Sequence, residues 1–215
     1  MRVYHFTSAE HGLEDVRLRR LKIATLSDIN DPFELAVCCG DQVQRQALRA
    51  TRLVWAKKSG MLCFSSDWSN PVQWSHYAEK HRGICLGFDV QDELVTQVKY
   101  SKAPLQLNWA AIELGGTVGE AEMTRWLSTK FIHWRYENEW RAFPSLDQSD
   151  ANGRYFCEFG NELVLREILV GSESLISRHD VQQALDQLSG IVCIKTRLAF
   201  GDYRIVKQLD SSMWR

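Results

Sequence analysis

The segment Trp134–Arg141 constrains the fold and the function of this chain more than any other segment. It holds two carboxylates, two arginines and three large aromatic side chains within eight residues. Successive side chains of a β-strand point to opposite faces, so on a strand Glu137, Glu139 and Arg141 would share one face. An ordinary half-buried strand explains this pattern. For a charged strand taken alone this is the more common explanation, and the alternative is a catalytic strand that presents two carboxylates to a pocket.

The composition of the chain is typical of a globular protein. Of its 215 residues, 45% are hydrophobic and 25% are charged, which predicts one domain over residues 1–215. The formal net charge of −1 gives no overall attraction to nucleic acid or to an anionic membrane. No hydrophobic signal segment opens the chain, and no apolar run is long enough to span a bilayer. We therefore expect a cytoplasmic protein without a membrane partner.

Neither the cysteines nor the histidines have the spacing of a metal site. The six cysteines include no C-x-x-C pair. His76 and His81 are five residues apart, which poorly fits one face of a helix. We therefore predict no metal, and we expect reduced cysteines, as is usual in the cytoplasm.

Strand and helix signals alternate along the chain without a regular β-α-β rhythm. Capping patterns at Thr7 and at Asn70-Pro71 predict two helix starts. The main strands are predicted at 2–6, 21–26, 61–65, 84–88, 134–141 and 163–170, and further helices at 41–58 and 118–132. This order favours an α+β or mixed α/β fold, with residues 172–215 adding a helix and strands to the same domain.

Several polar residues follow predicted strands. His5 lies near the end of the first strand, and Ser65 ends the strand at 61–65. Trp74 and Tyr77 lie on the helix after it. Each residue has an ordinary structural explanation, such as a strand-end histidine or core aromatic side chains.

The loop after the second strand is rich in turn formers. It includes Asn30, Asp31 and Glu34, with Pro32 between them. A simple turn explains Asn30 and Asp31. A loop that contributes to a site for an acceptor is the other interpretation.

Taken in order, these blocks closely resemble the prokaryotic domain-of-unknown-function family 2971. The resemblance extends from about residue 2 to about residue 171. The blocks are Tyr4-His5-Phe6-Thr7-Ser8, Asn30-Asp31-Pro32-Phe33-Glu34, Cys63-Phe64-Ser65, Trp74-Ser75-His76-Tyr77-Ala78, Gly83-Ile84-Cys85-Leu86-Gly87-Phe88 and the segment from Trp134 to Arg141. The family name settles no activity.

The order and spacing of these blocks also resemble, more distantly, the ADP-ribosyltransferase superfamily in its histidine-tyrosine-glutamate branch. That resemblance implies a split, mostly antiparallel β-sheet with flanking helices and NAD as the substrate. His5 and Thr7 would bind NAD, with His5 on a ribose. Ser65 and either Trp74 or Tyr77 would hold the nicotinamide. Cys63 stands where that branch often has a tyrosine.

The resemblance also implies roles for the segment Trp134–Arg141. Glu139 would stabilise the positive charge that develops on the ribose when the nicotinamide bond breaks. Glu137 would orient or deprotonate an acceptor. Arg141 would contact pyrophosphate, or it would pair with Glu139 along the strand face.

The expected function is therefore ADP-ribosyl transfer or NAD glycohydrolysis. NAD and an acceptor, either protein or nucleic acid, are the expected partners, and the oligomeric state is left open. A role as a toxin or in phage defence follows by analogy alone. Two alternatives are a non-catalytic nucleotide-binding or protein-interaction module and a different transfer reaction, for example on an RNA end.

Overall fold

A computed structural model describes residues 1–29, 31, 33, 41–107, 109 and 118–214. The strands are β1 (Arg2–Thr7), β2 (Arg20–Ile23), β3 (Leu62–Ser65), β4 (Ile84–Val90), β5 (Thr96–Gln97), β6 (Lys99–Ser101), β7 (Thr129–Phe131), β8 (Glu139–Ala142), β9 (Tyr155–Glu158), β10 (Leu163–Val170), β11 (Val192–Leu198) and β12 (Ile205–Lys207). The α-helices are α1 (Ala9–Leu18), α2 (Gln42–Trp55), α3 (Pro71–Tyr77), α4 (Glu120–Leu127) and α5 (Arg178–Leu185). Short 3₁₀ helices lie at Asp92–Leu94, Ile132–Glu137 and Ser211–Met213.

Within the described part of the chain, eight strands form the main sheet, in the order β12-β11-β10-β4-β1-β3-β8-β5. The pair β10-β11 is parallel, and the other neighbouring strands are antiparallel. Two smaller sheets pair β2 with β9 and β6 with β7. The fold is therefore α+β with a mixed, mostly antiparallel sheet, which confirms the predicted class.

The centre of the sheet is covered on both faces. Strand β4 is almost entirely buried, as its continuous apolar sequence requires. Leu86 and Phe88 pack in the larger core cluster, whereas Cys85 packs with Trp74 in a cluster on the other side. This arrangement places β1, the neighbour of β4, close to the middle of the molecule.

The helix starts confirm the capping signals to within one residue. Helix α1 begins after Ser8, whose side chain accepts a hydrogen bond from the backbone N–H of His11. Helix α3 begins at Pro71, and the side chain of Asn70 accepts from the N–H of Val72. The second cap fixes the helix directly after β3.

The strand predicted at 134–141 is wrong in its first half. Residues Ile132–Glu137 form a 3₁₀ helix, and Asn138 then adopts the left-handed conformation with φ 45°. Strand β8 begins only at Glu139. The predicted helix at 118–132 is also too long, since α4 ends at Leu127 and β7 follows it.

No helix among the residues that the structure describes has both the length and the apolar character needed to cross a membrane.

Asp15 on α1 is a buried carboxylate that should make the stability of the protein depend on pH. Burial, with a smaller contribution from Glu14, raises the pKa of Asp15 from 3.8 to about 7. The folded state therefore holds this proton more tightly than the unfolded state. The free energy of unfolding should fall as the pH rises from about 4 to about 7.

The Asp15→Asn variant should lack this fall. At pH 8 it should be more stable than the parent protein by on the order of 1–4 kcal/mol, and the difference should shrink towards pH 4. Urea unfolding at a series of pH values measures the effect. Glu10→Gln, an exposed change on the same helix, is the control. If the stability difference between Asp15→Asn and the parent protein does not vary with pH, the pKa of Asp15 is not raised in the folded state.

Candidate functional site

A cavity of about 310 Å³ lies where β1, β3 and β8 run side by side. Strand β3 is the middle strand, because Ser65 pairs with Tyr4 of β1 and with Glu139 of β8. The polar or ionisable side chains in its described lining are Tyr4, His5, Asp28, Cys63, Ser65, Gln73, Tyr77, Lys130, Glu137, Glu139 and Arg141. The sheet thus brings together residues that are far apart in the sequence.

Glu139 is buried, with 5% of its surface exposed, and both its oxygens accept hydrogen bonds. Arg141 donates from Nε to Oε1 at 2.8 Å and from Nη2 to Oε2 at 3.1 Å. Lys130 donates from Nζ to Oε2 at 3.1 Å. A carboxylate offers about four acceptor positions. Three are filled, so one remains on Oε1 for a ligand.

Glu137 lies at the end of the 3₁₀ helix and meets the same lysine. Its Oε2 accepts from Nζ of Lys130 at 2.7 Å, and its Oε1 accepts from the hydroxyl of Tyr77 at 2.5 Å. Lys130 therefore bridges both carboxylates, although Glu137 is not on the strand. The left-handed turn at Asn138 lies between the two carboxylate residues.

The two carboxyl groups differ in their titration. Burial alone would raise the pKa of Glu139, but the charges of Arg141 and Lys130 outweigh burial and hold it at about 2. Burial raises the pKa of Glu137, and Lys130 opposes that rise without cancelling it. Glu139 is therefore ionised at any ordinary pH. Glu137 is the carboxyl group that takes up a proton more readily.

His5 lines the cavity as a neutral side chain. Burial lowers its pKa, and the hydrogen bond to the carbonyl of Cys63 opposes this only in part. Nδ1 lies 3.0 Å from that carbonyl oxygen, which can only accept, so Nδ1 carries the proton. Nε2 is then a hydrogen-bond acceptor, suited to a ligand hydroxyl.

The hydroxyl of Ser65 is already occupied. It donates to the carbonyl of Glu137 at 2.6 Å and accepts from Nε2 of Gln73 at 3.0 Å and from the N–H of Asp67 at 3.0 Å. These contacts tie the end of β3 to the 3₁₀ helix. In this arrangement Ser65 positions Glu137, and it has no hydrogen left to donate to a ligand.

Trp74 and Thr7 are not among the described residues that line the cavity. Trp74 is fully buried, and its indole N–H donates to the carbonyl of Trp68 at 2.6 Å. Thr7 pairs with Ile84 at the end of β1. Of the two aromatic candidates for a stacking surface, the cavity has Tyr77.

Arg141 and Asp31 are the remaining predicted site residues that the structure describes. Arg141 is 1% exposed and pairs with Glu139, so its placement matches the second of its two predicted roles. Asp31 is buried, and its side chain accepts from the N–H of Phe33. Asn30 and Glu34 lie outside the described residues.

Sequence reasoning missed Lys130 and Gln73. Lys130 was assigned to the end of a helix, whereas it lies on β7 with 6% of its surface exposed. A lysine directly before the apolar pair Phe131-Ile132 was the weak signal that could have identified it. Among the residues described, no group of three or more His, Cys, Asp or Glu side chains is arranged to hold a metal ion.

The site thus defines a protein of the α+β class with a cavity beside β1, β3 and β8 that contains two buried carboxylates and two buried cations. A family model described as a protein of unknown function, DUF2971, matches residues 73–142. This segment contains Gln73, Tyr77, Lys130, Glu137, Glu139 and Arg141. The chain is similar to that family over this third of its length, which supports the predicted family. No curated protein and no solved structure matches the chain.

Proposed function

We propose that the protein binds NAD in this cavity and breaks the bond between nicotinamide and ribose. The ADP-ribosyl group would pass to an acceptor or to water. One observation carries the proposal: His5, Tyr77 and Glu139 line the same cavity, although they come from β1, from the end of α3 and from β8. The resemblance to ADP-ribosyltransferases requires this convergence.

The chemistry of each residue suits the reaction. Positive charge develops on the ribose as nicotinamide leaves, and the ionised carboxylate of Glu139 stabilises it through the ribose 2′-hydroxyl. The free acceptor position on Oε1 takes the hydrogen bond from that hydroxyl. Neutral His5 accepts from a second ribose hydroxyl at Nε2. Tyr77 supplies a flat surface for the nicotinamide ring.

The size of the cavity suits one part of the NAD molecule. A volume of about 310 Å³ is at the lower end of the range for ligand sites. It suits the nicotinamide and its ribose, with the rest of NAD extending outside.

A non-catalytic nucleotide-binding or protein-interaction module is the second candidate. The observation that favours it is the ion network itself, since Lys130 and Arg141 already engage both oxygens of Glu139. In that case these three charges hold β7 and β8 together and take no part in chemistry.

The test is a titration of the protein with NAD, combined with an assay for released nicotinamide. Tyr77→Ala should weaken NAD binding about tenfold or more, because stacking on an aromatic ring contributes about 1–3 kcal/mol. Tyr77→Phe keeps the ring and should retain most of the affinity. NAD binding without nicotinamide release would favour the non-catalytic module. If the protein neither binds NAD nor releases nicotinamide, the proposal is rejected.

A further inference from the structure

A second cavity, of about 460 Å³, lies directly beside the first. Lys130 lines both cavities. A group bound in the second cavity would therefore lie next to the lysine that bonds Glu137 and Glu139. An acceptor of ADP-ribose has to approach the ribose from just such a neighbouring position.

Aromatic side chains form much of this second cavity. Phe131 and Trp134 line it, and Phe131 remains 45% exposed. His133 stacks on Phe131 with the rings parallel to within 6° and 4.7 Å apart. The Nζ of Lys130 lies 5.1 Å from the centre of the Trp134 ring. Partly exposed flat rings of this kind are typical stacking surfaces for nucleic acid bases.

The lining of the second cavity also contains a buried hydrogen-bond donor, the indole N–H of Trp126. Trp126 lines the second cavity and is fully buried. Its indole N–H has no hydrogen-bond partner among the described residues. A buried donor without a partner is costly, and a ligand with an acceptor atom would remove the cost. The carbonyl and ring nitrogens of a nucleobase are such acceptors.

The charges around the cavity suit phosphate groups. Lys102 lines the cavity and is exposed. Lys99 and Arg135, also exposed, lie on the chain segments that form its walls. Asp31 is the carboxylate in the described lining, and one of its oxygens already accepts from the N–H of Phe33. Three exposed cationic side chains thus lie in or near the described lining, which also contains the aromatic rings of Trp126, Phe131 and Trp134.

We propose that the second cavity binds a base of single-stranded nucleic acid, and that this base is the acceptor of ADP-ribose. This inference rests on the proposed function. The C1′–N bond of NAD breaks, and its electron pair leaves with nicotinamide. A nucleophilic nitrogen or oxygen of the base forms the new bond to C1′. The proton that it loses passes to Glu137, the more readily protonated carboxylate, and then to water.

The first experiment measures binding without NAD. The probes are fluorescein-labelled single-stranded DNA and RNA of about ten nucleotides, a usual site size, and the matching duplexes. We expect saturable binding of at least one single strand. The matching duplexes should bind at least about tenfold more weakly. The DNA and RNA arms identify which nucleic acid is preferred.

Variants then locate the binding. Trp134→Ala should weaken single-strand binding about tenfold, because one stacked base contributes about 1–3 kcal/mol. Trp134→Phe should recover most of the affinity. Lys102→Ala should reduce the dependence of log Kd on log salt concentration by about one. Tyr203→Ala removes a ring that is 95% exposed elsewhere on the chain, and it should bind like the parent protein. Thermal unfolding shows whether each variant is folded.

The second experiment adds NAD and follows the mass of the oligonucleotide, which should increase by one ADP-ribosyl group. No saturable binding of either single strand, or equal binding by folded Trp134→Ala, would overturn the inference. Nicotinamide release with ADP-ribose found only on protein would do the same and leave the proposed function standing. If the single strand binds but no nicotinamide is released, both the acceptor role and the proposed function are overturned. The nucleic-acid site would still stand in that case.

Discussion

Nicotinamide release by the Glu139→Gln variant is expected to be at least ~10²-fold slower than release by the parent protein. The charge of Glu139 stabilises the developing cation on the ribose, and an amide cannot replace it. The amide still fills the same space and can bond the ribose hydroxyl. NAD binding should therefore change little, and the loss should appear in kcat with KM nearly constant.

The charge network makes a stability control necessary for this variant. Lys130 and Arg141 both bond Glu139, so the amide removes one negative charge from beside two buried cations. Thermal unfolding of the variant separates loss of structure from loss of chemistry. Glu158→Gln, an exposed change on β9, should release nicotinamide like the parent protein. Undiminished release by folded Glu139→Gln would remove Glu139 from the reaction.

Much of the fold was predictable because its signals are local. The caps at Ser8 and Asn70 act within three residues of themselves, so short sequence patterns identify the starts of α1 and α3. The apolar run of β4 likewise reflects burial on both faces of one strand. The resemblance to known families supplied the order of His5 and Glu139, and the sheet places both at one cavity.

The partners of the carboxylates were not predictable from local patterns. Alternation along a strand placed Glu137 and Glu139 on one face, but the chain reaches that result through a 3₁₀ helix and a left-handed residue. What holds them is Lys130, which lies on a different strand. A tertiary contact of this kind leaves only a weak trace in the sequence, namely a lysine directly before two apolar residues.

The choice between Trp74 and Tyr77 was open for a similar reason. Residues three apart lie on neighbouring parts of a helix surface, so helical spacing does not separate them. Their environments do separate them. Trp74 packs against Phe6 with ring centres 5.3 Å apart, whereas the hydroxyl of Tyr77 reaches Glu137. Only the packing of α3 on the sheet decides which ring reaches the cavity.

Replacement of Lys130 by Met is expected to destabilise the protein by about 3–5 kcal/mol, the usual cost of removing one partner from a buried ion pair. The unfolding temperature should fall by roughly 10 °C in a chain of this size. Met fills a similar volume, so the loss reflects charge more than packing. The variant leaves Glu137 and Glu139 buried with Arg141 as the remaining cation of the network.

The loss of stability in Lys130→Met should be larger at higher pH. Without Lys130 the pKa of Glu137, already raised by burial, should rise further. The folded variant then binds a proton that the unfolded chain releases, so its stability should fall as the pH increases above the ordinary range of a glutamate. The difference from the parent protein should therefore be smaller at pH 5 than at pH 8.

A double variant separates the charge network from simple packing. Lys130→Met with Glu137→Gln removes one charge of each sign from the network and keeps the pair of Glu139 with Arg141. It should recover a large part of the stability that Lys130→Met loses and should lack its pH dependence. Lys102→Met, an exposed change, should cost less than about 1 kcal/mol. If Lys130→Met costs as little as Lys102→Met, the network does not stabilise the fold. Its charges would then be held in place at no benefit to stability, as the catalytic interpretation of the cavity allows.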